Sequence, residues 1–465
     1  MKINNIKITG LTNDSRRVLP GYAFFAIDGN DINGTDFIPS ALAKGAAVIV
    51  TDEKYKGESF KVPNIRRFLI DTAVRFFQPL PENIIAVTGT NGKTSTVHFC
   101  RHILENMGKN AASIGTIGLI HKGAHADMGV AGNTSPDPVL LCDILHKLKA
   151  QGCDYVAIEA SSIGIEQDRM TALPVKVAGF TNLTRDHLDY HGTMERYFAE
   201  KKKLFTDVLD ADGTAVLNAD DDASFPDLAA VDRKIISYGK NGADIRLVDA
   251  EYGENGQKMT LAINEKNYAC DIDAPGVFQT YNMMCAIGMV MGLGFDAGDV
   301  VKAAQNAPAP VGRMQFAGTP VKGGGVYVDY AHTPDGLENV LKSARGLCKG
   351  RLMVLFGAGG DRDPGKRPMM GRVADGLADI VYITDDNPRT EEPAPIREQI
   401  AAACPKGIVV NDGRAAAIRR AVGDMRERDI LVIAGKGHED YQVIGTVKHH
   451  FSDIEEVQKS IKELS

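Results

Sequence analysis

The sequence lacks several features that mark whole classes of protein. Its seven cysteines are scattered and never form a Cys-x-x-Cys pair, which argues against a disulfide framework or a zinc site and favours thiols buried in a reducing compartment. A basic stripe or tail is missing, and the net charge of −7 argues against nonspecific binding to nucleic acid or membranes. No apolar run reaches the length of a membrane span or resembles a signal peptide. We therefore expect a cytoplasmic protein.

What the chain does contain is an alternation of short apolar runs and helical patterns, which is typical of α/β proteins. Its 465 residues leave room for several domains. We predict a small α/β domain over 1–83, a central parallel α/β domain over 84–308, and a C-terminal Rossmann-like domain over 309–465. Residues 305–311 contain two prolines, so we expect a linker there that is neither helix nor central strand.

The most informative segment is 84–95, where an apolar run is followed by Thr-Gly-Thr-Asn-Gly-Lys-Thr-Ser. A buried strand that breaks into a glycine-rich turn and then opens a helix can cradle phosphate. Lys93 would add a point charge, and Thr94 would offer a hydroxyl group to magnesium. Val87 stands where the common P-loop has its first glycine, so the match is a shortened Gly-x-x-Gly-Lys-Thr. The alternative is a tight glycine turn that caps a helix.

Three further polar residues of the central block are candidates for the same chemistry. Glu159 directly follows an apolar run, and a carboxylate at the end of a strand near a P-loop is well placed to hold magnesium. A solvated loop acid is the alternative. His187 also follows a strand, although an ordinary loop histidine is more common. Lys201 belongs to a helical segment whose lysines would normally form a solvated face.

The C-terminal block has four apolar runs that we predict to be parallel strands. They cover 326–328, 352–355, 380–383 and 430–433. Each run ends in glycine or polar residues, and ligands of open parallel sheets collect at the carboxyl ends of the strands. Read separately, the loops that follow are ordinary glycine or proline turns.

The order and spacing of these motifs resemble those of the Mur ligase family, and the P-loop string also resembles that of its folylpolyglutamate synthase relatives. The shared order is the P-loop, a Glu followed by Ser-Ser, an Asn-x-x-x-Asp-His segment and Lys-x-x-Leu-Phe. The resemblance covers essentially the whole chain and implies ATP and Mg²⁺ as cofactors. It implies that Thr94 and Glu159 help to hold one magnesium ion, and that His187 and a carbamylated Lys201 help to hold a second. Ile163 stands where the family often has His.

The resemblance also implies three groups of binding residues. Those near ATP are Gly89, Thr90, Asn91, Gly92, Lys93, Thr94, Ser95, Asn282, Arg313, Asp329 and His332. Those implied for a UDP-muramoyl dipeptide are Ser15, Asn30, Asp31, Ile32, Asn133, Thr134, Ser135, Ser161, Gln167 and Arg169. Those implied for an amino-acid substrate are Arg362, Asp386, Asn387, Pro388, Arg389, Gly435 and Glu439. The His-Gln-Ala that the family often has at 30–32 is replaced here.

Asp-Asn-Pro-Arg at 386–389 resembles the signature of Mur ligases that add meso-diaminopimelate. The resemblance therefore implies a monomeric enzyme of peptidoglycan precursor synthesis whose partners are small molecules. It would add meso-2,6-diaminopimelate to UDP-N-acetylmuramoyl-L-alanyl-D-glutamate through an acyl phosphate. Three alternatives stay open: a Mur-type ligase that adds L-lysine, a ligase of the folylpolyglutamate synthase type, and a catalytically silent nucleotide-binding scaffold. The 14–16 and 386–389 motifs argue against the second.

Overall fold

The computed structural model of the protein describes residues 1–29, 32–126, 134–242, 244–253 and 256–464. Within these ranges, none of the helices combines the length and the apolar character that a membrane span requires. All seven cysteines are free thiols, of which Cys348 alone is only half-buried. The predicted α/β class is confirmed, because three separate sheets with helices packed on them carry most of the strands.

The N-terminal unit is a four-stranded parallel sheet in the order β3-β4-β5-β6, with a small hairpin, β1-β2, before it. Its helix α2 (Ile65–Phe76) packs on the central unit, where Leu69 and Ile70 share one apolar core with Leu141 and Leu145 of helix α4 (Pro138–Ala150). The elements are β1 (Lys2–Ile3), β2 (Ile6–Lys7), β3 (Gly10–Thr12), β4 (Tyr22–Phe25), α1 (Ile38–Ala43), β5 (Val48–Asp52), β6 (Phe60–Val62) and α2 (Ile65–Phe76).

The central unit is built on a twelve-stranded sheet in the order β10-β9-β8-β11-β7-β12-β13-β14-β15-β16-β17-β18. Seven strands that are neighbours in this sheet run parallel, as predicted: β8, β11, β7, β12, β13, β14 and β15. The elements are β7 (Asn83–Thr88), α3 (Lys93–Asn106), β8 (Ala111–Gly115), β9 (Gly118–His121), β10 (Ala124–Ala126), α4 (Pro138–Ala150), β11 (Tyr155–Glu159), α5 (Ser162–Glu166), β12 (Val175–Phe180), α6 (Leu188–His191), α7 (Met194–Lys203), β13 (Leu209–Asn218), α8 (Phe225–Ala229), β14 (Lys234–Gly239), β15 (Ile245–Gly253), β16 (Gly256–Ile263), β17 (Lys266–Asp273), α9 (Val277–Gly292), α10 (Ala297–Ala304) and β18 (Ala307–Pro308).

Two parts of this sheet differ from the sequence-based prediction. Neither the antiparallel pairings of β8, β9 and β10 nor those of β15, β16 and β17 were predicted. The turn between β16 and β17 uses Asn264 and Glu265, both with positive φ, and a glutamate there hides the usual Asn-Gly hairpin signal. Residues 307–308 of the predicted linker 305–311 form the short edge strand β18, which pairs with β17. Its proline is tolerated since β18 is an edge strand.

The C-terminal unit is a six-stranded sheet in the order β19-β20-β24-β21-β22-β23, parallel except for β19. The four predicted strands are β20, β21, β22 and β24. The elements are β19 (Gln315–Gly318), β20 (Gly325–Asp329), α11 (Pro334–Leu347), β21 (Leu352–Phe356), α12 (Lys366–Leu377), β22 (Ile380–Ile383), α13 (Pro393–Ala401), β23 (Gly407–Val409), α14 (Arg414–Asp424), β24 (Ile430–Ala434), β25 (Tyr441–Ile444), β26 (Val447–His450) and α15 (Asp453–Glu463). The hairpin β25-β26 was not predicted.

The central strands of both large sheets contain continuous apolar runs because helices cover both faces. In β7, Ile84 and Ala86 belong to one core cluster and Ile85 and Val87 to the other. Such continuous apolar runs are characteristic of parallel strands buried on both sides. Each sheet lies within one of the ranges 1–83, 84–308 and 309–465, apart from Asn83, and we propose these ranges as the domain boundaries.

A buried ion pair fixes the helical layer of the C-terminal unit. The guanidinium group of Arg414 in α14 donates two hydrogen bonds of 2.7 Å to the carboxylate of Asp453 in α15. Both side chains are fully buried. Arg414 also donates to the carbonyl oxygens of Ala434, at 3.0 Å, and Asp385, at 3.2 Å. The pair therefore joins two helices to the ends of two strands.

We predict that Asp453→Asn lowers the stability of the C-terminal unit by about 3–5 kcal/mol, because the buried charge of Arg414 loses its counter-ion. The measurement is urea unfolding followed by circular dichroism. The matched control is Glu463→Gln, which breaks the exposed Arg419–Glu463 pair between the same two helices and should change stability little. Equal losses in the two variants would contradict the prediction.

Candidate active site

A cavity of about 880 Å³ lies between the central and C-terminal sheets. The carboxyl ends of the parallel strands β7, β11, β12, β20, β22 and β24 lead into it, which is where open sheets bind ligands. It brings together most of the residues predicted for the nucleotide and the amino acid. Those in its wall are Thr90, Asn91, Gly92, Lys93, Thr94, Ser95, Glu159, His187, Asn282, Arg313, Asp329, His332, Arg362, Asp386, Asn387, Arg389, Gly435 and Glu439.

The P-loop backbone can adopt its turn only because of two glycines. Gly89 has φ 140° and Gly92 has φ 90°, which side chains disfavour. A Cβ atom at Gly92 would also collide with the Oδ1 atom of Asn282, and one at Gly89 with the hydroxyl of Thr181. Helix α3 begins directly after Gly92 without a side-chain cap. Its first N–H groups therefore remain available to an anion.

Two lysines meet on the carbonyl oxygens of this loop. The ammonium of Lys93 donates to Gly89, at 2.9 Å, and to Thr90, at 2.7 Å. The side chain of Lys201 is buried behind the loop, outside the cavity wall, and donates to the same Gly89 carbonyl at 2.7 Å. Burial lowers the pKa of both amines, and Lys93 lowers that of Lys201 further. A neutral amine is therefore accessible at Lys201.

Two hard oxygen donors face the cavity beside the loop. Glu159 is fully buried, and its two oxygens accept hydrogen bonds from the backbone N–H, at 2.8 Å, and the hydroxyl, at 3.0 Å, of Thr116. The hydroxyl of Thr94 accepts a bond of 3.0 Å from Arg313. A hydroxyl and a carboxylate suit Mg²⁺, which proteins usually hold with few side chains together with phosphate oxygens and water. The donor set therefore fits the ion. Thr116 was not predicted.

A second charged cluster surrounds Asp186 and His187. The Nε2 atom of His187 lies 3.4 Å from the Oδ2 atom of Asp186. The backbone of His187 has a φ of 52°. Burial raises the pKa of the Asp186 carboxyl, but His187, His332 and Lys366 outweigh that effect and lower it to about 2. Burial, together with Lys366, lowers the pKa of His332 to about 4. Asp186 is therefore ionised and His332 neutral at pH 7. Asp186 and Lys366 were not predicted as site residues.

Hydrogen bonds hold the central and C-terminal units together around the cavity. Asp335 at the start of α11 accepts bonds from the side chains of Asn91, at 2.7 Å, and Thr184, at 3.3 Å.

Asp329 makes its hydrogen bonds within the C-terminal unit. Its carboxylate accepts the backbone N–H groups of Met314 and Ala331, each at 2.7 Å, and so fixes the segment that carries the neighbouring Arg313.

The opposite end of the cavity carries the residues predicted for the amino acid. The backbone of Arg389 has φ 55°, and its side chain donates to the carbonyl of Gly360 at 2.8 Å. Burial and the nearby Arg362 lower the pKa of the Arg389 guanidinium. Two cations near each other in a partly buried wall are suited to an anion. Burial and the nearby Asp386 raise the pKa of Glu439, whose carboxylate accepts a bond of 3.0 Å from Asn387.

The hairpin β25-β26 supports this end of the site. The N–H of Arg389 donates to the carbonyl of Val443 at 3.1 Å, and the N–H of Gly445 donates to the carbonyl of Arg389 at 2.7 Å. Gln442 donates to the carbonyl of Asp386. The available sequence signal was the alternating pattern of 441–450 around a Gly-Thr turn. Pro388 lies in the 386–389 loop that these hydrogen bonds hold, but it does not line the cavity.

The residues predicted for a UDP-linked substrate are less concentrated. Ser135 donates to the carbonyl of Glu159 at 2.9 Å and lies 3.1 Å from the hydroxyl of Ser161. Gln167 and Arg169 are hydrogen-bonded to each other at 2.8 Å and line a small cavity of about 70 Å³ between the N-terminal and central units.

Of the six other predicted positions, three lie within the described residues. Thr134 lines the main cavity. Ser15 is buried at the start of a 3₁₀ turn, and Ile32 is 58% exposed; neither lines the small cavity. Asn30, Asp31 and Asn133 lie outside the described residues.

Known proteins resemble this chain along its whole length. Family models described as Mur ligase family catalytic domain, Mur ligase middle domain and Mur ligase glutamate ligase domain match 7–75, 87–290 and 312–437. A UDP-N-acetylmuramoyl-L-alanyl-D-glutamate--2,6-diaminopimelate ligase from Caulobacter vibrioides is 42% identical, covering 98% of this chain and 96% of that protein.

Solved structures agree with this similarity. One titled as a UDP-N-acetylmuramoyl-L-alanyl-D-glutamate--2,6-diaminopimelate ligase has a TM-score of 0.69 and 33% identity over 98% of this chain and 95% of the other. A MurF ligase from Thermotoga maritima in complex with ADP has a TM-score of 0.65 at 18% identity, with 99% of each chain covered, and so shares the fold. By its sequence and its three-part architecture, the chain belongs to the Mur ligase family.

Proposed function

We propose that the protein is an ATP-dependent amide ligase that adds meso-2,6-diaminopimelate to UDP-N-acetylmuramoyl-L-alanyl-D-glutamate. The observation that carries the proposal is that one cavity contains both the P-loop and the Arg362–Arg389–Glu439 group. The 42% identity with a relative of that name supports the same choice. The enzyme would act as a monomer in the cytoplasm, and its free cysteines suit a reducing compartment.

In the proposed reaction the γ-phosphate of ATP passes to the D-glutamyl side carboxylate, and the acyl phosphate so formed is attacked by the amine of the amino acid. A tetrahedral intermediate then expels phosphate. Negative charge gathers where the two anions meet, and the nearby cationic side chains of Lys93 and Arg313 would offset it. The hydrogen bonds of Asp335 to the central unit would help to keep water from the acyl phosphate.

Magnesium is part of the proposal. Thr94 and Glu159 would hold one ion against the phosphates, and His187 and a carbamylated Lys201 would help to hold a second. The ions would supply Lewis-acid stabilisation of the transferred phosphoryl group. Carbamylation requires a neutral amine, and the lowered pKa of buried Lys201 supports it. The product is an oxygen-bearing anion, the ligand type that magnesium prefers.

The amino acid is assigned by charge. Diaminopimelate and L-lysine share a similar carbon chain, but diaminopimelate adds a carboxylate at the far end. Arg389 uses its Nη1 atom for the Gly360 carbonyl, which leaves the rest of its planar fork for a carboxylate. Arg362 would assist, and Glu439 with the Gly435 loop would take the neighbouring ammonium. With lysine bound, the two guanidinium groups would lack their anion.

We predict that Lys93→Ala abolishes turnover in a folded protein, with a loss of at least about 10²–10³-fold in kcat, because charge compensation in the transition state is removed. The measurement is phosphate release with the UDP-muramoyl dipeptide and diaminopimelate. The control is Lys302→Ala, an exposed lysine of α10, which should retain activity. Near-normal activity of a folded Lys93→Ala protein would contradict the role given to this lysine.

We predict that Lys201→Ala is nearly inactive and is partly rescued by formate or acetate, because a short carboxylate can refill the vacated oxygen position. Native mass spectrometry should detect the added mass of a carbamate on the wild-type protein. The control is Lys202→Ala, which removes the neighbouring lysine. Lys202 makes only a partly exposed contact with Asp227. A wild-type protein without the added mass, together with failed rescue, would count against carbamylation.

We predict that the wild-type enzyme prefers meso-diaminopimelate over L-lysine by up to about 10⁴-fold in kcat/KM, because lysine leaves buried polar partners unpaired. Arg389→Ala and Asn387→Ala should reduce this preference. Arg372→Ala, an exposed arginine of α12, should retain it. Comparable efficiency with both amino acids, or an undiminished preference in Arg389→Ala, would show that specificity resides elsewhere.

A further inference from the structure

Lys436 is a charged residue at the amino-acid end of the cavity that the proposed reaction does not use. Its side chain is 0% exposed. The ammonium donates to the Oδ1 atom of Asn387, at 3.1 Å, and to the Oε2 atom of Glu439, at 3.3 Å. Removing an ammonium from water is costly unless hydrogen bonds and an opposite charge compensate it. The two contacts therefore explain how the charge is accommodated, and they both lead to residues of the site.

The first contact fixes the orientation of the Asn387 amide. Its Oδ1 atom accepts from Lys436 and also from the backbone N–H of Val443, at 2.9 Å. Rotating the amide by half a turn would bring its NH₂ group against these two donors, so only one orientation is satisfied. In that orientation the Nδ2 atom faces Glu439 and donates to its Oε2 atom at 3.0 Å.

The second contact acts on the charge and orientation of Glu439. Its Oε2 atom is used by both Lys436 and Asn387, whereas its Oε1 atom has no hydrogen-bond partner in the described part of the chain. Burial and Asp386 raise the pKa of Glu439, and Lys436 opposes them. The same ammonium, with Arg414, keeps the pKa of buried Asp386 below its ordinary value. One cation therefore serves two neighbouring carboxylates.

We propose that Lys436 is a positioning residue for the amino-acid substrate: it locks the Asn387 amide and holds Glu439 as an oriented carboxylate whose Oε1 atom receives the substrate's ammonium. This inference rests on the proposed function, which assigns Glu439 to the amino acid. It differs from a purely structural role because it predicts a change in how substrate binding depends on pH.

The test compares Lys436→Met with Lys349→Met, an exposed lysine of the same unit. Lys436→Met should raise KM for diaminopimelate by about 10- to 100-fold, the equivalent of lost hydrogen bonds to a charged group. Its kcat and its KM for ATP should stay within about threefold of the wild-type values. Lys349→Met should match the wild type. An unchanged KM for the amino acid, or a loss confined to kcat, would overturn the inference.

The pH profile provides the specific readout. Without Lys436 the pKa of Glu439 rises further above its ordinary value, so on acidification the carboxyl is protonated, and loses its hold on an ammonium, at a higher pH than in the wild type. As the pH is lowered, the KM of Lys436→Met should therefore begin to rise at a higher pH than the wild-type KM does. Adding Glu439→Gln to the variant should remove most of this pH dependence, and what remains belongs to Asp386, the second carboxylate that Lys436 serves. A profile parallel to the wild type would overturn the inference.

Two further comparisons keep the outcome unambiguous. If Lys436→Met does not fold, Lys436→Gln retains a hydrogen-bond donor without the charge and should show the same pH-dependent KM. If the wild-type enzyme rejects diaminopimelate, the proposed function is wrong, and the KM and pH comparison is made with the amino acid that it accepts. A variant that matches the wild type with that amino acid overturns the role of Lys436 separately.

Discussion

Parallel strands deliver their carboxyl ends to one edge of a sheet, and two such edges face each other across the main cavity of this protein. The central sheet brings the P-loop after β7 and Glu159 at the end of β11 to one side. The C-terminal sheet brings the loops after β22 and β24 to the other. Chemistry can therefore occur only where the two units meet, which is why residues far apart in sequence line one wall.

The same geometry requires like charges to be kept close together away from water. Lys93 and Lys201 share the Gly89 carbonyl, Arg362 lies near Arg389, and Asp386 lies near Glu439. Such arrangements oppose folding unless other contacts offset them. The buried Arg414–Asp453 pair and the Lys436 ammonium are the compensating groups of the C-terminal unit. A bound group of opposite charge would relieve the repulsion within each pair, so this repulsion favours substrate binding.

Sequence reasoning succeeded where a local pattern has one physical meaning. The apolar runs that became β7, β20, β21, β22 and β24 are buried on both faces, and the glycines of the P-loop are required by their positive φ. It failed for the β16-β17 hairpin because the turn contains Glu265 in place of the usual glycine. It also missed β25-β26, although the alternating pattern around Gly445 was available in the sequence. It also missed Thr116, which nothing local distinguishes from an ordinary polar residue. It gave no role to Asp186 within the Asn-x-x-x-Asp-His segment or to Lys436 within the Gly435 loop.

The sequence by itself determined the α/β class, the phosphate cradle and the list of polar residues that end the parallel strands. These depend on short-range patterns of apolar residues, glycines and charges, which the chain carries whatever its tertiary contacts. Only the tertiary structure decided which of those residues share a cavity, which oxygen of Glu439 is left free, and that Lys201 lies behind the P-loop. Those facts follow from packing one sheet against another and from the desolvation of each charge, which depend on contacts between different elements of the fold.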